Sequence, residues 1–188
     1  MKKNVISLVI LSFVLVSMAS FNVANRWVSN KTHIKFYSHT VAEDIEANNY
    51  KSVSTIDPVS GEVVFSVPMQ GFEFEKALMQ KHYNSDKFLD TKKYPKAKLV
   101  ARITNLSEIH FDKDGTYPAN IKGELTIKDK TNSITERGTI TVKGKNVNVQ
   151  SKFNITLAQY NVAFEKGKPS TNIGKSVEVS VQAEYVTE

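Results

Sequence analysis

Apolar and polar residues alternate with a period of two along most of the chain. Residues 33–39 place Ile34 and Phe36 on one face of a strand and Lys35 and Tyr37 on the other. Strict alternation of this kind is typical of strands with one buried and one solvated face. The same pattern recurs in residues 61–72, 97–106, 119–128, 133–144, 145–160 and 175–186.

Turn-forming residues separate these segments at short intervals. Residues 57–61, 112–115 and 144–146 are rich in aspartate, asparagine, proline and glycine and fit β-hairpin turns. Seven or eight antiparallel strands at this spacing predict an all-β barrel or sandwich. No linker or internal repeat divides them, which favours a single domain.

One region between the strands breaks the alternation. Residues 72–83 carry Phe74, Ala77 and Leu78 at helical spacing, which predicts a short helix. We expect Ser85 and Asp86 to cap a second helical turn over residues 87–93, which the proline at position 95 ends. A crossover of about 25 residues inside a compact domain usually has a function or covers something.

The first 20 residues have the features of a secretory signal peptide. Lys2 and Lys3 precede an apolar stretch over residues 5–16, and small residues at 17 and 19 offer a cleavage site. The alternative is an uncleaved anchor, although the stretch is shorter than the roughly 20 residues of a membrane span. The prediction is therefore a leader over 1–20, one domain over 21–188, and a periplasmic or secreted product.

Composition narrows the function further. The chain has no cysteine, so neither disulfides nor a cysteine-linked lipid anchor can hold it. Without Lys2 and Lys3 the formal charge falls from +6 to +4, and the lysines are scattered, which argues against a nucleic-acid partner. The chain contains no Gly-x-Ser-x-Gly nucleophile motif, and we predict no enzymatic activity.

The histidines do not form a metal-binding pattern. His33 and His39 are six residues apart on one strand face, or about 20 Å, and no His-x-His or His-Glu-x-x-His spacing is present. We therefore predict no metal site and no cofactor.

Several of these segments resemble the YceI-like family of exported, lipocalin-like barrels that are described as polyisoprenoid-binding. Residues 27–39 and 61–69 resemble the opening of that family, and residues 174–185 resemble its closing strand. Residues 85–95, which read SDKFLDTKKYP, resemble its phenylalanine-containing signature. Residues 121–131 resemble a strand pair, with Asp129 where a second glycine is usual.

The resemblance covers residues 27–185 and departs from the family in two places. Of the Arg-Asp-x-His-Leu run that often precedes the signature, only His82 matches here. A late arginine is also missing from residues 158–174. The resemblance implies an antiparallel barrel of about eight strands with one short helical crossover. It also implies an apolar lipid partner such as a polyisoprenoid and a role in envelope stress.

A barrel of this size has an interior wide enough for side chains or for one slim ligand. We expect the inward-facing residues to hold such a ligand by burial of apolar surface. The alternative is a structural or interaction module with a filled barrel and no ligand, and a homodimer is compatible with either. The predicted ligand-binding residues are Ile34, Phe36, His39, Phe65, Val67, Met69, Phe74, Leu78, His82, Phe88, Leu99, Leu125 and Val179.

Two members of this set are polar. The resemblance matches His39 and His82 to family histidines that could meet at the barrel mouth and bind a polar head group or an ion. The alternative, which we favour, is a structural role for each. Phe88 and Leu89 are expected to form the apolar contact of a lid or wall that closes one mouth.

Overall fold

Eleven strands and one α-helix make up the computed structural model, which describes residues 26–40, 43–162, 164–165, 168–169 and 173–187. The predicted leader over residues 1–20 lies outside the described residues. The helix is α1 (Ala77–Asn84). The strands are β1 (Trp27–His39), β2 (Asp44–Ile56), β3 (Glu62–Pro68), β4 (Phe72–Phe74), β5 (Lys96–Ile103), β6 (Gly115–Ile127), β7 (Lys130–Lys143), β8 (Asn146–Thr156), β9 (Phe164–Glu165), β10 (Lys168–Pro169) and β11 (Ser176–Val186).

Eight of the strands close into an antiparallel barrel. Their order around the barrel is β1-β11-β8-β7-β6-β5-β3-β2, and β2 returns to pair with β1. The short strand β4 pairs with residues 47–49 in the first half of β2, and β9 pairs with β10 in a separate hairpin. The predicted lipocalin-like barrel with one helical crossover is confirmed.

The period-two pattern places the apolar side chains inside the barrel. On β11, Val177, Val179, Ala183 and Tyr185 are buried, whereas the polar residues between them are not. Successive strand side chains point to opposite faces, so an alternating sequence buries one face only. Each strand of the barrel therefore contributes its apolar set to one shared interior.

The hairpin turns use the predicted residues in two of three places. The Asp57 carboxylate accepts hydrogen bonds from the backbone N–H groups of Val59 and Ser60, at 2.9 and 3.1 Å, and so orders the β2–β3 turn. Gly144, with φ of +56°, starts the tight β7–β8 turn. The third prediction was wrong, because residues 104–114 form a longer connection with a 3₁₀ turn at Leu106–Glu108.

The crossover consists of β4, α1 and a run of turns. No helix among the described residues is long and apolar enough to cross a membrane. The predicted second helical turn over residues 87–93 was wrong, because Asp90 has φ of +45° and interrupts any helix. Ser85 does not cap such a turn. Its hydroxyl donates to the His82 carbonyl at 2.7 Å and so closes the end of α1.

One end of the barrel is filled with side chains. This filled end lies where β1 begins and β11 ends, and Trp27 packs edge-on against Phe111 there, with 5.1 Å between ring centroids. The Tyr185 hydroxyl donates to Ser54 Oγ at 2.7 Å, and Ser54 Oγ lies 3.0 Å from Thr32 Oγ1. The buried polar side chains in this network thus satisfy one another.

Candidate functional site

The other end of the barrel is hollow. A cavity of about 720 Å³ extends from Ile56, Val63 and Ile103, which lie just inside the filled end, to the crossover. Inward-facing residues of the barrel strands form its walls, and α1 with the turns that follow it covers one side. Ligand-binding pockets usually have volumes of about 300–1,000 Å³ and mostly apolar walls, so this cavity has the size of a binding site.

Twelve of the thirteen predicted ligand-binding residues line this cavity. They come from β1, β3, β5, β6 and β11 and from the crossover, so distant parts of the chain meet at one surface. The twelve are Ile34, Phe36, Phe65, Val67, Met69, Phe74, Leu78, His82, Phe88, Leu99, Leu125 and Val179. Their position makes contact with a ligand feasible, and their binding role stays a prediction.

His39 is the exception among the predicted residues. Alternation along β1 places Ser38 inside, where it is buried, and His39 outside, where its side chain is 70% exposed. Its Nδ1 atom lies 2.5 Å from Asp44 Oδ1, and this contact lowers the pKa of the Asp44 carboxyl. His39 is therefore hydrogen-bonded to Asp44 on the outer face and does not line the cavity beside His82.

An aromatic cluster joins the crossover to the barrel wall. Phe36 of β1, Phe72 and Phe74 of β4 and Tyr83 of α1 pack with ring centroids 4.9–6.0 Å apart. The Tyr83 hydroxyl is buried and has no hydrogen-bond partner among the described residues, and burial raises the pKa of this phenol. A buried donor without a partner is costly, so packing of the rings must offset this cost.

Polar contacts tie both ends of the crossover to the barrel rim. Lys76, which precedes α1, forms an ion pair with Glu43 at 2.6 Å. At the far end, Lys128 Nζ donates to the carbonyl of Phe88 at 2.9 Å and to that of Asn161 at 3.3 Å. Lys128 itself has φ of +55° in the β6–β7 turn. The crossover is thus a fixed wall of the cavity.

The chemistry of the cavity is that of a binding site. Within the described part of the chain, no group of three or more His, Cys, Asp or Glu side chains could hold a metal ion. His33 lies 2.9 Å from Asn48 Oδ1 and stacks on Tyr50 outside the barrel, and His110 packs against Tyr117. Only His82 among the four histidines lines the cavity.

The sequence prediction missed one wall of the cavity. Val149, Phe153 and Ile155 of β8 line it, and their alternation was visible in residues 145–160. Tyr83 of the crossover lines it as well, and so does Leu89, which was expected there only as part of a lid or wall. The signal was present in the sequence, because Val149, Phe153 and Ile155 share one face of β8 and the other face is entirely polar.

A closed eight-stranded antiparallel barrel with an apolar cavity at one end has the architecture of the lipocalin-like barrels. The family model of the YceI-like domain matches residues 17–185. The chain therefore belongs to the YceI-like family, as the motifs indicated. Among curated proteins, none is similar enough in sequence to count as a match.

Three solved structures share this fold. BcnA of Burkholderia cenocepacia is 19% identical, with a TM-score of 0.68, and the alignment covers 82% of this chain and 96% of that one. A polyisoprenoid-binding domain from Saccharophagus degradans, implicated in plant cell wall breakdown, is 12% identical, with a TM-score of 0.72 and coverage of 88% and 99%. The YceI protein of Campylobacter jejuni is 16% identical, with a TM-score of 0.61 and coverage of 80% and 90%.

Proposed function

We propose that this protein is a binding protein that holds a long apolar ligand, such as an isoprenoid-like lipid, non-covalently inside the barrel. The observation that carries the proposal is the apolar cavity of about 720 Å³. Each Å² of apolar surface that leaves water contributes about 25 cal/mol, so an extended chain gains affinity along its whole length. No step of this function requires a reaction.

The filled-barrel alternative has less support. A module that acts only through its surface needs no interior space, and voids larger than a water molecule are few in packed proteins. The S. degradans relative is described as polyisoprenoid-binding, which supports the same class of ligand for this chain.

We further propose that the leader over residues 1–20 exports the protein to the periplasm or beyond. There it would carry or sequester its lipid, and envelope stress is the setting that the family resemblance suggests. The motif of the leader supports export.

Native mass spectrometry of the protein purified from its own envelope, without added lipid, tests the proposal. The expected result is a bound mass that organic solvent extracts and that chromatography identifies as a lipid. The same spectrum reports whether two chains associate. A protein of apo mass that also fails to take up diphenylhexatriene, an uncharged probe that fluoresces in apolar surroundings, would contradict it.

A matched pair of variants locates the binding. Leu99→Asn puts a polar group on the cavity wall, whereas Val100→Asn changes its exposed neighbour on the outer face of β5. We expect the Leu99 variant to bind diphenylhexatriene several-fold more weakly and the Val100 variant to bind it normally. Equal binding by both variants would place the probe outside the cavity.

A further inference from the structure

The strands β7 and β8 separate before they reach the crossover end of the barrel. Their backbone pairing extends from Lys143–Asn146 to Gly138–Ser151 and then stops. Beyond this point β7 pairs only with β6, down to Lys130, and β8 pairs only with β11, down to Thr156. Among the described residues, the barrel wall therefore has a slot between residues 133–137 of β7 and 152–156 of β8. At its other end the slot is bridged, because the Asn132 side chain donates to the Gln159 carbonyl at 3.0 Å.

The cavity reaches this slot. Its lining includes Arg137, Gly138 and Thr139 of β7 and Ser151 of β8, the residues at the point where the strands separate. Ile140 is buried inside the barrel, so alternation puts Thr139 and Arg137 on the outer face. Outer-face residues thus border the cavity where β7 and β8 are no longer paired, and the two observations together indicate an opening to the surface there.

Local contacts define the closed end of the slot. The Ser151 hydroxyl donates to the Arg137 carbonyl at 2.7 Å. A Cβ atom on Gly138 would lie 2.7 Å from the Gln150 carbonyl oxygen, so the glycine lets the two strands approach at their last pair. The position of the slot is thus set by particular residues, because Ser151 and Gly138 hold the strands together just above it.

The chemistry at the slot favours a negative charge. The Arg137 side chain is exposed, and within the described residues it makes no hydrogen bond or ion pair. A guanidinium presents a planar set of donors that matches carboxylate and phosphate oxygens. Glu136 lies one residue away on the opposite face of β7, and burial raises the pKa of its carboxyl.

We propose that the slot between β7 and β8 is a lateral entrance to the cavity and the head-group site of its ligand. The ligand is then a single-chain amphiphile whose carboxylate or phosphate binds Arg137 while its apolar chain lies in the cavity. This inference rests on the proposed function. It adds the route of entry, the charge of the head group and the residue that recognises it.

The first experiment compares two probes of equal chain length. The affinities of palmitate and hexadecanol are measured by displacement of diphenylhexatriene. The measurement is made on the wild type, Arg137→Gln and Arg102→Gln. Arg102 is the matched control, because it is an exposed arginine on the outer face of β5 and does not line the cavity. We expect Arg137→Gln to weaken the binding of palmitate roughly threefold to fivefold, the range of an exposed ion pair. The binding of hexadecanol should not change.

The second experiment tests the route. Because the chain has no cysteine, a single Arg137→Cys substitution can carry a bulky maleimide of polyethylene glycol at the slot. Leu78→Cys carries it on the crossover side of the cavity, and Arg102→Cys carries it on the outer wall. Stopped-flow uptake of diphenylhexatriene should slow most with the adduct at Arg137→Cys and should not change with the adduct at Arg102→Cys.

Two outcomes would overturn the inference while leaving the proposed function intact. If Arg137→Gln weakens the binding of palmitate and hexadecanol equally, then Arg137 does not recognise the charge of the head group. Slower uptake with the adduct at Leu78→Cys than at Arg137→Cys would place the entrance at the crossover. A wild-type protein that binds neither diphenylhexatriene nor palmitate would instead contradict the proposed function itself.

Discussion

The two ends of the barrel contain the same kinds of residue, but one end is packed and the other is hollow. Each end has a buried tyrosine. The Tyr185 hydroxyl at the filled end donates to Ser54, although burial still raises the pKa of Tyr185 to about 12. The Tyr83 hydroxyl at the hollow end has no partner. The filled end is packed and fully hydrogen-bonded, whereas the hollow end keeps space and an unsatisfied polar group.

This difference shows where the barrel obtains its stability. Packing and satisfied polar groups lower the free energy of the folded state. Both ends have buried polar groups that are satisfied, such as Ser54 at the filled end and Asn49 beside the crossover, but only the hollow end keeps a cavity. The hollow end forgoes part of that stabilisation to keep a cavity, since its lining lacks partner atoms on one side. We therefore expect substitutions at the two ends to affect stability and ligand uptake in different proportions.

The largest expected effect on stability is at the filled end. Tyr185→Ala should lower the free energy of unfolding by about 3–5 kcal/mol, because it opens a cavity in a packed core. Phe88→Ala, at the half-buried wall of the hollow end, should cost only about 1–2 kcal/mol and should speed release of diphenylhexatriene. Urea unfolding measures both values, and equal costs would refute the contrast between the ends.

The next effect concerns the boundary between the paired and separated parts of β7 and β8. Gly138→Ala should lower the free energy of unfolding by about 1–3 kcal/mol, because the new methyl group collides with the Gln150 backbone. It should also widen the slot and speed probe exchange. Ser133→Ala, an exposed position on the same strand, is the control and should change stability by less than about 0.5 kcal/mol. Unchanged stability in the Gly138 variant would mean that the strands tolerate a wider gap.

The two tyrosines predict effects of opposite sign. Tyr83→Phe removes an unpaired buried hydroxyl and should raise the free energy of unfolding by about 1 kcal/mol. Tyr185→Phe leaves Ser54 with one partner fewer and should lower it by about 1 kcal/mol. Thermal unfolding of ligand-free protein compares them directly. The same sign in both variants would show that the Tyr83 hydroxyl finds a partner in solution.

The smallest expected effect is on acid stability. Hydrogen bonds from the backbone of Ser60 and Val59 lower the pKa of Asp57 in the folded protein. This stabilisation is present above the unfolded pKa of about 4 and is lost as the pH falls through the lower folded pKa. In Asp57→Asn, the free energy of unfolding should therefore fall less steeply than in the wild type as the pH drops below about 4. Asp44→Asn at the exposed rim is the comparison. A larger effect of Asp44→Asn than of Asp57→Asn on stability at acid pH would contradict the prediction.

The sequence predicted the fold well because its main signals are local. Alternation along β11 and turn residues such as Asp57 and Gly144 act within a few positions, and they identified seven of the eight barrel strands and two hairpins correctly. They missed β2, because much of its buried face is polar. The second helical turn failed, because the left-handed backbone of Asp90 depends on hydrogen bonds from its neighbours to Ser85 and Asp90. Likewise His39 carried a family match, but its place on β1 directs it outward.

The candidate site shows the limit of the same signals. The alternation of an inward apolar face is the same whether that face packs against another face or borders a cavity. Alternation therefore predicted that residues such as Phe65 and Leu125 point inward, but it did not predict the space between them. The separation of β7 from β8 was also invisible, because the alternation in each strand continues past the last pair.

By itself, the sequence determined all the barrel strands except β2, their apolar faces, most of the turns and the family, since each depends on residues close in the chain or on motifs in order. Only the tertiary structure decided which end of the barrel is filled, where the wall opens and which tyrosine lacks a partner. These features depend on the volumes and distances between strands that lie far apart in sequence, and no local pattern encodes them.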